Sequence, residues 1–95
     1  MRVRWGIAGP GRIAATVAAE FAHLPDAELV AVGSRSLDRA QAFAERFGVP
    51  RAYGSYAELL SSDVDAIYLA TPHGQHTELA LATIEAGKAL LVEKS

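Results

Sequence analysis

The sequence predicts an α/β domain: a parallel sheet of short strands in the order βαβαβαβαβ, with helices on both faces and three layers in all. Three observations predict it. Short apolar runs bounded by Gly, Pro, Asp or Ser alternate with longer segments along the whole chain. Those longer segments repeat apolar residues at helical spacing, not at the two-residue spacing of a half-buried strand. Apolar runs alternating with helices of about ten residues imply long, right-handed crossovers, so neighbouring strands run parallel.

The elements follow in order. Val3 to Ala8 is a β-rich run, and Leu29 to Val32, Ala66 to Ala70 and Ala89 to Val92 are others. Their near-continuous apolar character fits strands buried on both faces. Residues 51–54 leave room for a very short strand. Ile13, Val17, Phe21 and Leu24 mark one face of a first helix. Leu37, Ala40, Phe43 and Phe47 mark a second, with Ser36 as its N-cap and Gly48 just past its end. Ser55 and Glu58 form a capping box that opens a short third helix through Leu59 and Leu60. Leu81 and Ile84 anchor a fourth, which Gly87 closes.

Composition narrows the class of function. The 95 residues are 51% hydrophobic and 21% charged, which excludes intrinsic disorder. The balance of 9 Lys and Arg against 11 Asp and Glu, net −2, argues against a nucleic-acid partner. There is no cysteine, hence no disulfide, zinc–thiolate or thiol chemistry, in keeping with a reducing, cytoplasmic setting. No apolar run approaches the roughly 18 residues of a membrane span. The expectation is one domain over residues 1–95, a dinucleotide-binding unit on the evidence that follows.

That evidence begins at Gly9-Pro10-Gly11-Arg12-Ile13-Ala14, a G-x-G-x-x-A turn between the first strand and the first helix. The context matters more than the letters. Gly9 permits the tight turn, Gly11 lets a pyrophosphate approach the backbone, and Ala14 lets the helix sit close to the sheet. Pro10 has no N–H, so the phosphate donors are the N–H groups of Gly11, Arg12 and Ile13 at the positive end of the helix. The fold class is therefore a Rossmann-type sheet. The second strand then ends in Val32-Gly33-Ser34-Arg35-Ser36, with no carboxylate to hold a ribose 2′-hydroxyl. Ser34 can donate a hydrogen bond. Arg35 offers a planar cation for a phosphate or for stacking on adenine, and Arg39 follows one helical turn on. NADP is thus expected ahead of NAD. His73 and His76 offer only two ligands at a loop-to-helix junction, so no metal site is expected.

Two more polar clusters fall where strands four and five end: Thr71-Pro72-His73-Gly74-Gln75-His76 and Glu93-Lys94-Ser95. Together with Gly-x-Gly-Arg-Ile-Ala and Ala-Gly-Lys-Ala-Leu-Leu-Val-Glu-Lys, they make the chain resemble the N-terminal domain of the glucose–fructose oxidoreductase, inositol dehydrogenase and rhizopine-catabolism (Gfo/Idh/MocA) family. The likeness is nearest to its NADP-dependent dihydrodiol and xylose dehydrogenase branch. The resemblance implies a nicotinamide cofactor and a hydride passed to or from a sugar, polyol or dihydrodiol hydroxyl. It places Thr71, Pro72, His73 and His76 along the ribose and nicotinamide, Glu93 near the nicotinamide, and Lys94 beside the substrate hydroxyl as the catalytic group. His73 stands where the family more often has Asn, and Ser95 where it has Pro.

The resemblance also implies a second, C-terminal α/β domain, absent from this sequence. That domain would supply most of the substrate pocket and the surface for a homo-oligomer. The 95-residue chain by itself is then a cofactor half-site without turnover. A second class of function fits the same residues: a nucleotide-binding or sensor module without chemistry. Lys94 favours the enzyme, and Ser95 the module.

Overall fold

A computed structural model describes residues 3–9, 11–70 and 76–92. Five strands form one parallel sheet: β1 (Val3–Ala8), β2 (Ala27–Gly33), β3 (Arg51–Tyr53), β4 (Ala66–Leu69) and β5 (Ala89–Val92). Four helices alternate with them: α1 (Arg12–Phe21), α2 (Leu37–Phe47), α3 (Tyr56–Leu60) and α4 (His76–Glu85). The strand order is β3-β2-β1-β4-β5. The chain builds outward from β1 to β3, then crosses to β4 on the other side of β1. The expected α/β architecture is present, with its topological switch between β1 and β4.

Helices form the two outer layers, each packed on the sheet over its own core. On one face Ile7, Val32 and Tyr68 pack under α1 and α2, with Ala14, Ala18, Ala40, Phe43 and Ala44. On the other, Ala8, Val30, Ala31, Ile67 and Leu69 pack under α3 and α4. Alternation along β2 is interrupted once. Trp5 pairs with Leu29 but Gly6 pairs with Ala31, so Val30 is an extra residue in the ladder. Val30 and Ala31 consequently join the same core, and Val32 returns to the α1–α2 face.

Leu59 is fully buried and seats α3 on the sheet. A Cβ on Gly33 would lie 2.9 Å from the Leu59 Cβ, and one on Gly6 would lie 3.0 Å from its Cδ1. Two glycines on neighbouring strands therefore make the socket that this leucine fills. At the amino edge of the sheet, Asp63 accepts from Arg51 at 2.6 Å and from Arg4 at 2.9 Å. The Arg51 hydrogen bond first, then that of Arg4, holds the Asp63 carboxyl below its ordinary range. Lys88 donates to the carbonyls of Ser62 (2.7 Å) and Val64 (2.8 Å), tying the α3–β4 connection to the start of β5.

Several expectations need correction. Leu81 and Ile84 do not anchor α4: they are 57% and 60% exposed, and Leu79, Ala80 and the fully buried Thr83 face the sheet instead. Thr83 is accommodated because its hydroxyl donates to the Leu79 carbonyl at 2.7 Å. The buried line of α1 is Ala14 and Ala18, with Val17 and Phe21 beside it and Leu24 exposed beyond the helix end. Leu37 of α2 is also exposed. Small residues at these contacts let the helices approach the sheet closely, which rotates the larger ones outward. Nor is every strand buried on both faces: β5 is a sheet edge, and Leu91 is half exposed.

Candidate functional site

Register defines the carboxyl edge. Gly33, Ala8, Leu69 and Val92 pair in one row across β2, β1, β4 and β5. Tyr53 of β3 continues it beside Gly33. Because every crossover is parallel, all four helices begin at this edge, and the chain leaves it through Gly9, Ser34, Gly54 and Ala70.

The turn after β1 is shaped differently from its neighbours. Gly9 has φ of 95°, a backbone region L side chains rarely adopt, and its N–H donates to the Gly33 carbonyl at 2.9 Å. Gly11 is the N-cap of α1 with φ −174° and ψ −165°, extended backbone open to any residue. A Cβ there would meet nothing within 4 Å. Among the described residues, packing thus gives no reason for glycine at position 11.

The electrostatics agree. α2 and α3 begin on the side-chain caps Ser36 and Ser55, and α4 carries Glu78 in its first turn. α1 has no side-chain cap bond and no acid in its first turn. Among the described residues no side chain caps its first N–H groups, and the positive end of its dipole favours an anion. Ala14 is fully buried where the helix meets the sheet. Arg12 and Arg39 line, with Gly11, a groove of about 810 Å³ between α1 and α2. Both glycines, the bare helix end and the two cations fit a dinucleotide pyrophosphate.

Ser34 is buried at the β2 tip. Its N–H donates to Tyr53 O at 3.1 Å, and its hydroxyl accepts from the Ser36 N–H at 3.2 Å. A hydroxyl that accepts one bond keeps its proton for another partner. Ser36 in turn caps Arg39 N–H at 3.3 Å. The tip is therefore fixed by short-range bonds before any ligand arrives. The two arginines that the sequence places together are divided by the structure. Arg39 lies on the α1–α2 side with Arg12, whereas Arg35 lines a second hollow, of about 450 Å³, with Gly54, Tyr56 and Glu78. Sequence reading missed that second hollow, since Tyr56 and Glu78 meet only through the β3–α3 and β4–α4 crossovers. Lys88 was also missed, its Gly-Lys setting being the only signal.

Of the other expected site residues, His76 begins α4 and Ile13 lies in the first turn of α1. Thr71, Pro72, His73, Glu93 and Lys94, with Pro10 and Ser95, fall outside the described residues. Among the described residues no group of three His, Asp or Glu could hold a metal, and no helix is long and apolar enough to cross a membrane.

Comparison with known proteins decides the family. Residues 3–94 match the profile described as "Oxidoreductase family, NAD-binding Rossmann fold". The chain belongs to this oxidoreductase family. Trans-1,2-dihydrobenzene-1,2-diol dehydrogenase of Mus musculus is 45% identical over 99% of this chain, and that of Homo sapiens 42%. The chain spans 29% of the length of these curated relatives. Among solved structures, a 3-ketoreductase from Actinomadura kijaniata with TDP-benzene and NADP is 38% identical. It superposes with a TM-score of 0.92 over 99% of this chain and 30% of its own. Scyllo-inositol dehydrogenase from Lactobacillus casei, with NAD(H) and scyllo-inositol, is 25% identical with a TM-score of 0.90, over 99% of this chain and 28% of its own. Solved structures that share this fold thus include one with NADP and one with NAD(H) bound.

Proposed function

We propose that this chain is the NADP-binding part of an oxidoreductase acting on the CH–OH group of a sugar, polyol or dihydrodiol. The observation that carries the reading is Gly11. It stands as an N-cap with extended backbone and open space before it, at a helix end with no cap of its own. Gly11, Arg12, Ile13 and Ala14 would bring the helix end to the pyrophosphate, with Gly9 making the turn. Ser34 and Arg39 at the β2 tip and α2 would hold a 2′-phosphate, which is the basis for NADP over NAD. Thr71, Pro72, His73, His76 and Glu93 would lie along the ribose and nicotinamide. The nicotinamide, when bound, supplies a hydride acceptor or donor at C4. Lys94 would hold the substrate oxygen and exchange its proton, as a positioned acid or base. Activity, substrate pocket and homo-oligomer contacts belong to a longer, cytoplasmic protein of the relatives' length.

The test is a fluorescence titration of the chain with NADPH and NADH. Arg39→Ala should weaken NADPH about tenfold and leave NADH nearly unchanged, the scale of one lost charged hydrogen bond. Equal losses for both cofactors would remove the 2′-phosphate from Arg39. In the longer protein, Lys94→Met should lower kcat about 10²–10⁴-fold with NADPH affinity nearly intact. Near-normal turnover of the variant would remove Lys94 from the mechanism, whereas no turnover by the unaltered longer protein would leave a binding module without chemistry.

A further inference from the structure

Resting on the reading that the chain is part of a longer protein of the relatives' length, we infer that the hollow beside α1, over β4 and β5, seats an amphipathic helix from a later segment of that same polypeptide. Trp5, Val17, Phe21 and Leu24 wall this hollow, and Tyr68 and Leu91 floor it, in a space of about 270 Å³. The Trp5 and Phe21 rings pack with centroids 5.6 Å apart, so the wall is one continuous apolar surface. Glu20 is the charged member of the described lining, and it is exposed at the rim.

The sheet explains why the hollow exists. Tyr68 pairs with Leu91, and two residues earlier Trp5, Ala66 and Ala89 pair in one row, with only methyl groups beyond the tryptophan. α1 packs against α2 and β2, whereas α4 packs on β4 and β5 from the opposite face, with Leu79 and Ala80. A parallel sheet is ordinarily covered on both faces. Leu24 and Leu91, 51% and 50% exposed, mark where that cover is incomplete among the described residues. The chain spans 29% of the length of the curated relatives, so most of a protein of that length lies outside these residues.

Handedness says which part of it fits. β1–α1–β2 runs one way along the sheet and puts α1 on one face. β4–α4–β5 runs the other way and puts α4 on the opposite face. Both crossovers are right-handed, as parallel connections are. A further right-handed crossover from β5 to its free edge would run in the direction of β4–α4–β5, so its helix joins α4 and never reaches the α1 side. The helix that fills the hollow therefore comes from beyond that crossover, where the polypeptide turns back over the sheet.

The 95 residues contain no cysteine, so single introduced thiols report on the hollow. The experiment labels Leu91→Cys, Leu24→Cys and, on the exposed side of α2, Glu45→Cys with N-ethylmaleimide, in the 95-residue chain and in the longer protein, read by peptide mass mapping. All three should label at similar rates in the chain. In the longer protein Leu91→Cys and Leu24→Cys should slow by about tenfold or more, with Glu45→Cys unchanged. A benzophenone carried on Glu20→Cys at the rim should cross-link to a peptide beyond the roughly 30 residues of a βαβ unit counted from Ala89. A thermal melt of each variant shows that it is folded. Equal labelling in the two proteins, or a cross-link within those residues, overturns the inference. Slow labelling in the 95-residue chain that depends on its concentration assigns the hollow to a second copy and overturns it as well. A longer protein that shields both thiols but turns over no CH–OH substrate upholds this inference and overturns the proposed reaction alone.

Discussion

Replacing Gly11 by Asp separates the fold from the site, because the two should respond in opposite directions. Gly11 is an N-cap with φ −174°, and a Cβ there has no neighbour within 4 Å. Asp is a better N-cap than Gly by a few tenths of a kcal/mol. Its charge adds roughly 0.3–1 kcal/mol at a helix start that has no acid in its first turn. The expected gain is about 0.5–1 kcal/mol, a rise in Tm of about 2–8 °C for a domain of this size. The same carboxylate would occupy the space proposed for the pyrophosphate. Two like charges about 4 Å apart repel by about 4 kcal/mol at an effective dielectric constant of 20. Even half of that weakens NADPH binding by about thirtyfold or more. The assay pairs differential scanning calorimetry of the free chain with an NADPH titration. A variant that melts higher and fails to bind is the expected result. Unchanged affinity would show that the turn does not hold phosphate. A marked fall in Tm would show that position 11 is packed, and the argument from open space would fail.

Three further outcomes follow from the packing and the charges. Gly33→Ala places a methyl 2.9 Å from the Leu59 Cβ and 3.0 Å from its Cδ2 and should destabilise by about 1–3 kcal/mol in urea unfolding, with Leu59→Ala relieving the Cδ2 contact but not the Cβ contact. Lys88→Met removes two hydrogen bonds to carbonyls at the amino edge and should cost about 2 kcal/mol in a thermal melt while sparing NADPH affinity. Asp63, whose pKa is lowered by its hydrogen bonds to Arg51 and Arg4, contributes stability above its unfolded pKa of about 3.9 and loses it as pH falls through the lower folded value. Asp63→Asn should therefore flatten the acid limb of the stability profile, and an acid limb unchanged by that substitution would remove the cluster from the account.

Strand positions, helix caps and the glycine turn were legible from the chain because each rests on a few neighbouring residues. Ser36 caps α2 and Ser55 caps α3 through bonds only three residues long, and both were read directly. The glycine turn is equally local, since Gly9 and Gly11 act through their own backbone. Which side chains face inward was less legible. Leu81 and Ile84 have the hydropathy of a core pair, yet α4 buries Leu79 and Thr83, because the helix phase is set by contact with the sheet and a threonine can satisfy its hydroxyl within its own helix. The extra residue at Val30, the socket of Gly6 and Gly33 for Leu59, and the reach of Lys88 to Ser62 and Val64 join residues far apart in the chain. So does the parting of Arg35 from Arg39, four residues apart in sequence but lining different hollows once α3 and α4 have crossed the sheet. Local backbone preference determined where the elements and the glycine turn lie. Only the parallel crossovers decided which surfaces met beside them, because tertiary contacts of that kind leave no periodic mark on the chain.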